Sequence, residues 1–502
     1  MPDNLFTSFV AAAPDPGRIF LRPLAGPALA YREVFATAAR FSHVLAHHGA
    51  KPGDRVAVQV EKSPAALILY LACLRAGFVY LPLNTGYTPA ELTYFIRDAE
   101  PCLFICSDTN REKIAACLPA TRLLTISDDG QDGSLIREAA GAPDSFADPA
   151  IGMTDLASIL YTSGTTGRSK GAMLTHGNLH SNADSLKRAW AFSSNDVLLH
   201  ALPIFHIHGL FVATNVSLLS GASILLLAKF EPDAIFQALP QATVMMGVPT
   251  FYTRLLKDAR LDRDRTRHMR LFISGSAPLL PETHHQWRER TGHALLERYG
   301  MTETNMNTSN PYHGARIPGS VGLPLPGVEI RIADDRGHPV PPGEIGMIEV
   351  RGPNVFKGYW KMPEKTAAEF RADGFFITGD LGTIGPDGYL RIVGRGKDLI
   401  ITGGLNVYPR EIESLLDDLP GVEESAVVGL PHDDFGEGVT AFLVLKPGGR
   451  LTQEDVLECL GDRLARFKLP KRVFFVEQLP RNSMGKVQKS ALRQEYAALY
   501  QS

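Results

Sequence analysis

The 502-residue sequence predicts an α/β protein built on layered sheets, and three features carry that expectation. Between Tyr31 and Cys106, short apolar runs of strand length alternate with helix-length segments across brief connections, the pattern of a layered α/β sheet. The alternation returns between Ser223 and Ser274. After Asn310 the texture changes to short strands punctuated by Gly and Pro, a small β-rich subdomain over about 311–394, before a compact unit of helices and strands closes the chain.

Taken in order, a helix ends near Gly49, a strand covers Arg55 to Val60, and a helix runs to Ala76, where Gly77 stops it. A strand at Val79 to Leu83, a helix at Pro89 to Asp98 and a strand at Cys102 to Cys106 follow. Leu123 to Thr154, rich in Gly, Asp, Ala and Pro, reads as a surface excursion. The strand Ala157 to Tyr161 then enters a polar loop, and strands near Ser223 to Ala228, Thr243 to Gly247 and Arg270 to Ser274 each precede a helix. Near the end, Thr452 with Asp455 offers a helix cap. Val456, Leu457, Leu460, Leu464 and Phe467 form an apolar stripe at helical spacing up to Pro470, and such a stripe is core.

A hydrophobic content of 44% over this length leaves room for two or more domains with substantial cores. The formal charge of -3 offers no global basic surface, so neither nucleic acid nor an anionic membrane is expected as a partner. Cys73, Cys102, Cys106, Cys117 and Cys459 are odd in number and lack C-x-x-C spacing, which argues against disulfides and zinc and fits a reducing compartment. Asp3 stands where a signal peptide wants a positive charge, and the apolar run Ala65 to Leu74 is far short of a membrane span. A cytoplasmic protein acting on small molecules is expected.

The polar loop reads Y-T-S-G-T-T-G-R-S-K-G from Tyr161 to Gly171. Gly164 and Gly167 let the main chain curl, a curled run of amides forms an anion nest, and Thr162, Ser163, Thr165 and Thr166 add hydroxyl donors. Lys170 adds a point charge, so a polyphosphate suits the loop, although a plain polar connection would share its composition. The spacing is not that of a P-loop, because Ser169 precedes Lys170 and Gly171 follows it.

This segment resembles the signature loop of the acyl-adenylate-forming family, which includes acyl-CoA synthetases, luciferases and the adenylation domains of peptide synthetases. Other segments match that family in order. Gly275-Ser276-Ala277-Pro278 resembles the loop lining adenine, and Glu297-Arg298-Tyr299-Gly300-Met301-Thr302-Glu303 resembles its Y-G-x-T-E motif. Asp380 in T-G-D resembles the ribose acceptor, Arg395 its companion, and Pro480 to Lys486 the loop with the adenylation lysine. The resemblance spans the chain. It implies a large N-terminal adenylate-forming domain over residues 1–396, a hinge near Lys397, and a small mobile α+β domain over 397–502.

It further implies ATP, Mg²⁺ and coenzyme A as the small molecules used. Thr302 would reach phosphate, Thr165 and Glu303 would hold the metal, and Tyr299 would cover adenine. Lys486 would bridge the α-phosphate and the substrate carboxylate, and offers a target for a protein lysine acetyltransferase and deacylase. With Glu303, Thr302 and His206 it forms the implied catalytic set. Gly403 and Gly404, in the T-G-G-L-N segment, would flank the pantetheine arm of coenzyme A after domain rotation.

Arg254 lies one turn into a helix begun by Pro249, where it could pair with a second carboxylate or simply face solvent, and spacing leaves both open. L-P-I-F-H-I-H-G-L, G-V-P-T-F-Y-T-R and R-Y-G-M-T-E-T-N-M-N are similar to malonyl-CoA synthetases within the family. That likeness implies malonate as the acid, Arg254 and Ser276 at its far carboxylate, and His206 nearby. Ile207 and Met306 would limit space at its α-carbon. His206 and His208 do not suggest zinc, since no third ligand is evident. The alternatives within this chemistry are a synthetase for another short acid, such as methylmalonate or acetate, and an enzyme that loads a carrier protein. Outside it stand a luciferase-like oxygenase and a nucleotide-binding regulator without catalysis.

Overall fold

The computed structural model describes residues 3–13, 15–117, 122–162, 169–403, 405–432, 434–461, 463–482 and 485–500. Ser163, Gly164, Thr165, Thr166, Gly167 and Gly404 therefore lie outside the described residues. The chain divides into two compact units. One comprises Met1–Leu279, Thr283–Ile330 and Val350–Phe376, the other Leu280–Glu282, Arg331–Glu349 and Ile377–Ser502.

The first unit contains two sheets. Val79–Pro82, Arg55–Gln59, Leu103–Ser107 and Leu156–Thr162 run parallel in one of seven strands, with Lys170–Thr175 antiparallel to Leu156–Thr162. The helix Pro64–Ala76 shows why the alternation is readable. Ser63 caps it by accepting from the Ala66 amide at 3.2 Å, Pro64 opens it, and Gly77 closes it in a left-handed conformation (φ 72°). Its eleven buried residues from Ala65 to Ala76 leave no polar face, the mark of a helix enclosed on every side.

Leu123–Thr154 departs from its expectation as a surface excursion. Leu123–Ile126 is a strand at the edge of the seven-stranded sheet, parallel to Leu103–Ser107, and Ser134–Ala139 is a helix. Four residues carry too little periodicity to announce a strand against the Gly- and Asp-rich sequence that follows. Gly133 (φ 120°) makes the return possible, since a Cβ there would collide with the Thr125 carbonyl.

The second sheet has nine strands. Its central run orders Leu296–Met301, Leu271–Ser274, Val244–Gly247, Val197–His200 and Ser223–Leu226, all parallel. A core of Leu199, Leu225, Met245, Phe272, Tyr252 and Trp287, each at most 3% exposed, fills the space against its helices. The parallel order brings the carboxyl ends of four adjacent strands side by side, and open α/β sheets bind ligands at such ends.

In the second unit, Phe376–Ile384 and Leu390–Arg395 form an antiparallel pair within a four-stranded sheet. Ile400–Thr402, Leu405–Val407, Val422–His432, Gly436–Leu445 and Arg472–Phe475 form a five-stranded one. The C-terminal helix begins as expected, with Asp455 accepting from the Thr452 amide and hydroxyl at 2.8 Å each. It is shorter than its apolar stripe, covering Gln453–Gly461 only. Glycine weakens helix continuation there; Leu464 is still buried, but Phe467 sits on a separate 3₁₀ turn and is 39% exposed, so it is not core.

Candidate active site

Strand order assembles the site. From the carboxyl ends of Leu296–Met301, Leu271–Ser274, Val244–Gly247 and Val197–His200 come, respectively, Thr302 and Glu303, Gly275 to Pro278, the helix Pro249–Leu256, and the segment with His206 and His208. Glu297, Arg298, Tyr299, Gly300 and Met301 belong to the first of these strands. Two polar clusters result, both within the first unit.

The first cluster surrounds Glu303, which is buried. Its Oε1 accepts from the Tyr359 hydroxyl at 3.0 Å and from the Thr162 hydroxyl at 3.5 Å. Tyr359 Oη also lies 2.6 Å from Glu369 Oε2, so the two carboxylates share its single proton, and Lys170 Nζ lies 3.0 Å from Glu369 Oε1 and 4.1 Å from the centre of the Tyr359 ring. Burial opposes the charge of Glu369, yet hydrogen bonds from Lys365, Tyr359 and Lys170 hold its carboxyl below the usual range. Burial and the Glu303 carboxylate push the Tyr359 hydroxyl far up, so it remains a donor. Tyr359 and Glu369 were invisible as site residues in the sequence, because G-Y-W-K-M-P-E-K-T-A-A-E-F reads as a turn and a solvated helix. Tyr161, at the entrance of the loop, is tied to Asp98.

The second cluster is basic. Arg298 is 3% exposed, and burial, partly offset by Tyr252 and Glu297, pulls its pKa down to about 9, so it remains cationic near neutrality. Its Nη2 donates to Ser276 Oγ at 3.4 Å, while its Nε has no hydrogen-bond partner among the described residues. Ser276 Oγ lies 3.1 Å from His208 Nδ1. Ser276 adopts φ 72°, a left-handed conformation costly for a residue with a side chain and concentrated at functional sites. A Cβ at Gly275 would overlap the Arg298 guanidinium, so glycine is what admits it. Burial, then Arg298, His200 and His206, holds His208 well below the usual histidine range.

Lys62 braces this cluster from behind. Its buried Nζ lies 2.9 Å from His200 Nδ1 and 2.8 Å from the His200 carbonyl, and His200 Nε2 reaches the Gly209 carbonyl at 2.9 Å. Nothing in the local sequence distinguishes Lys62 from a solvated lysine; only the fold shows its burial.

Ile207 and Met306 are both buried, and the Met306 peptide is held on two sides by the Asn182 amide, at 2.8 Å to its carbonyl and 3.2 Å from its N–H. Gly300 has no room for a Cβ against the Asn305 carbonyl and the Met306 side chain. Ala277 is half-buried and Pro278 exposed beyond Ser276. Arg254 is exposed on its helix, so its burial is not what distinguishes it. The His206 ring is tilted by 54° against that of Phe205, with centres 4.9 Å apart. Within the second unit, Asp380 is buried and paired with Arg395, Oδ1 to Nε at 2.7 Å. Lys397 lies in the turn Gly396–Asp398, and Gly403 (φ 57°) donates to the Phe435 carbonyl at 2.8 Å. Lys486 is exposed in a tight loop in which its amide meets Asn482 Oδ1 at 3.0 Å.

Residues 9–360 match the model of the AMP-binding enzyme family, and residues 411–486 that of the AMP-binding enzyme C-terminal domain. A feruloyl-CoA synthase of an Amycolatopsis species is 38% identical, with 94% of each chain covered. A malonate–CoA ligase of Arabidopsis thaliana is 37% identical over 89% of this chain and 78% of its own. The ATP-bound crystal structure of MatB from Rhodopseudomonas palustris is 58% identical, covers 100% of both chains and superposes with a TM-score of 0.98.

Proposed function

We propose, from the premise that this chain belongs to the AMP-binding enzyme family and is an AMP-forming acyl-CoA synthetase, that the acid it activates is malonate. The buried Arg298–Ser276–His208 cluster carries this reading. A buried cation with an unpartnered donor is costly unless an anion completes it, and the reacting carboxylate must itself stay beside the nucleotide. A second carboxylate on the same short acid meets that need. The relatives named malonate–CoA ligases support the same choice. A feruloyl group, bulky and without a second carboxylate, would leave the guanidinium unpaired, although a feruloyl-CoA synthase is similarly close.

In the first half-reaction a malonate oxygen attacks the α-phosphorus of ATP and pyrophosphate leaves, forming malonyl-AMP. The barrier is largely the repulsion between two anions, which placed cations relieve. Lys170 and the loop hydroxyls would hold the β- and γ-phosphates, and Lys486 would serve the α-phosphate. Glu303 with the Thr162 hydroxyl is a hard-oxygen set with one carboxylate, which suits Mg²⁺ arriving on the phosphates. Such an ion would supply charge neutralisation to the leaving pyrophosphate. Asp380 would accept from the ribose, with Arg395 fixing its carboxylate. In the second half-reaction the thiol of coenzyme A attacks the acyl carbon and AMP leaves; Gly403 and Gly404 would flank the pantetheine and Lys397 would act as the hinge.

The test is pyrophosphate release and thioester formation with malonate, methylmalonate, acetate and ferulate in parallel. Malonate is expected to give the highest kcat/KM, and Ile207 with Met306 is expected to disfavour methylmalonate. A preference for ferulate or acetate would overturn the assignment.

A further inference from the structure

We propose that His208, through its Nε2–H, donates to the far carboxylate of the acid and so reads the substrate as a dicarboxylate. This rests on the malonate reading and adds a residue to it.

The donors and acceptors along one hydrogen-bonded chain assign its protons. Arg298 has only donors, so its Nη2 must donate to Ser276 Oγ. That leaves the Ser276 hydroxyl proton for His208 Nδ1, 3.1 Å away. The reverse arrangement, with His208 donating to a serine oxygen already bound by a guanidinium, would turn the Nδ1–H dipole towards a positive charge and leave the hydroxyl proton without an acceptor. The imidazole is therefore neutral, with its proton on Nε2. Its other groups agree: Arg298, His200 and His206 all disfavour a second proton on the ring. Lys62 stands behind His200 and adds no negative charge.

His208 Nε2 is buried and has no hydrogen-bond partner among the described residues. A donor left so in a core loses its hydration without return unless a bound water, ion or ligand completes the bond. Three further features fix its position. Ser276 is held at positive φ to present its oxygen. His208 opens a π-helical segment, His208–Thr214, and such segments occur mostly at functional sites. The Gly209 carbonyl accepts from both His200 Nε2 and the Thr214 hydroxyl, at 2.9 and 3.0 Å, which anchors the backbone carrying the ring. A Cβ on Gly209 would collide with the Pro203 carbonyl, so the turn admits only glycine. A neutral N–H suits a carboxylate of either orientation and offers nothing to the methyl end of a monocarboxylic acid.

The experiment compares wild type, His208→Leu and His208→Gln in steady-state pyrophosphate release with malonate and with propionate. For His208→Leu, loss of one hydrogen bond to a charged group is expected to lower kcat/KM for malonate on the order of 30-fold, mainly through KM, with propionate changed less than about threefold. His208→Gln, which presents an amide N–H near the Nε2 position, is expected to recover most of the malonate activity. Equal loss on both acids, or full malonate activity in His208→Leu, would overturn the proposal. If His208→Leu does not fold, the glutamine variant decides alone: most of the malonate activity retained supports the proposal, and equal loss on malonate and propionate would show that the ring is structural. A wild-type enzyme that ignores malonate overturns the functional reading as well, and is recognised by that control.

Discussion

Arg298 keeps its charge in a place where burial works against it, with Ser276 as its hydrogen-bond acceptor and Gly275 making room. A residue of that kind is expected to be retained for ligand rather than for stability. Arg298→Met should therefore cost about 100-fold or more in kcat/KM for malonate, as truncating a buried charge partner does, without lowering the urea midpoint of the ligand-free protein. A fall in both would mean that the guanidinium is a structural brace. The sequence exposed Arg254 and Arg298 alike as cations near the expected motifs. It could not rank them, because burial depends on the neighbouring strand and not on the adjacent residues.

At the scale of elements, the helix His176–Ala189 illustrates a cost hidden in an ordinary start signal. Thr175 caps it in a reciprocal box with Asn178, at 3.0 and 2.9 Å, but its first residue, His176, is fully buried and accepts from the Leu5 amide through Nδ1 at 3.4 Å. Burial, partly offset by Asp155, lowers its pKa from 6.5 to about 4. The unfolded chain thus binds the proton more readily between these values. The stability contribution is complete above about pH 6.5 and is lost as pH falls towards 4, worth about 3 kcal/mol in all. In His176→Asn, which keeps an acceptor without titrating, the dependence of unfolding free energy on pH across this window should flatten by about 1.4 kcal/mol per pH unit. An unchanged slope would refute the assignment. An element end with a complete signal, such as that of Pro64–Ala76 at Gly77, was legible to the residue. Leu123–Ile126 and the end of Gln453–Gly461 were not, because a sheet edge and a glycine break decide them.

For the molecule as a whole, nucleotide binding and folding are linked. MgATP at 100 times its dissociation constant should add about 2.7 kcal/mol to the unfolding free energy of the state that binds it, and chelating the Mg²⁺ should remove most of that gain. Calorimetry with and without a chelator measures this, and an equal shift in both would remove Glu303 from the metal's ligands. Lys486→Ala should abolish malonate-dependent pyrophosphate release yet retain thioester formation from supplied malonyl-AMP. Loss of both would contradict a role confined to adenylation.

By itself the sequence determined the α/β class, the order of most elements and the motif positions, because caps, periodicity and glycine punctuation are local and survive without knowledge of the fold. Y-T-S-G-T-T-G-R-S-K-G and R-Y-G-M-T-E were legible for the same reason. Only the tertiary structure decided that Lys170 rests on Glu369, that Tyr359 joins Glu369 to Glu303, and that Ser276 links Arg298 to His208. Those partners lie between 10 and 199 residues apart; parallel strands set Ser276, Arg298 and His208 side by side, whereas Lys170 and Tyr359 meet on strands paired antiparallel. Burial and the direction of a hydrogen bond are properties of that assembly, and no window of neighbouring residues contains them.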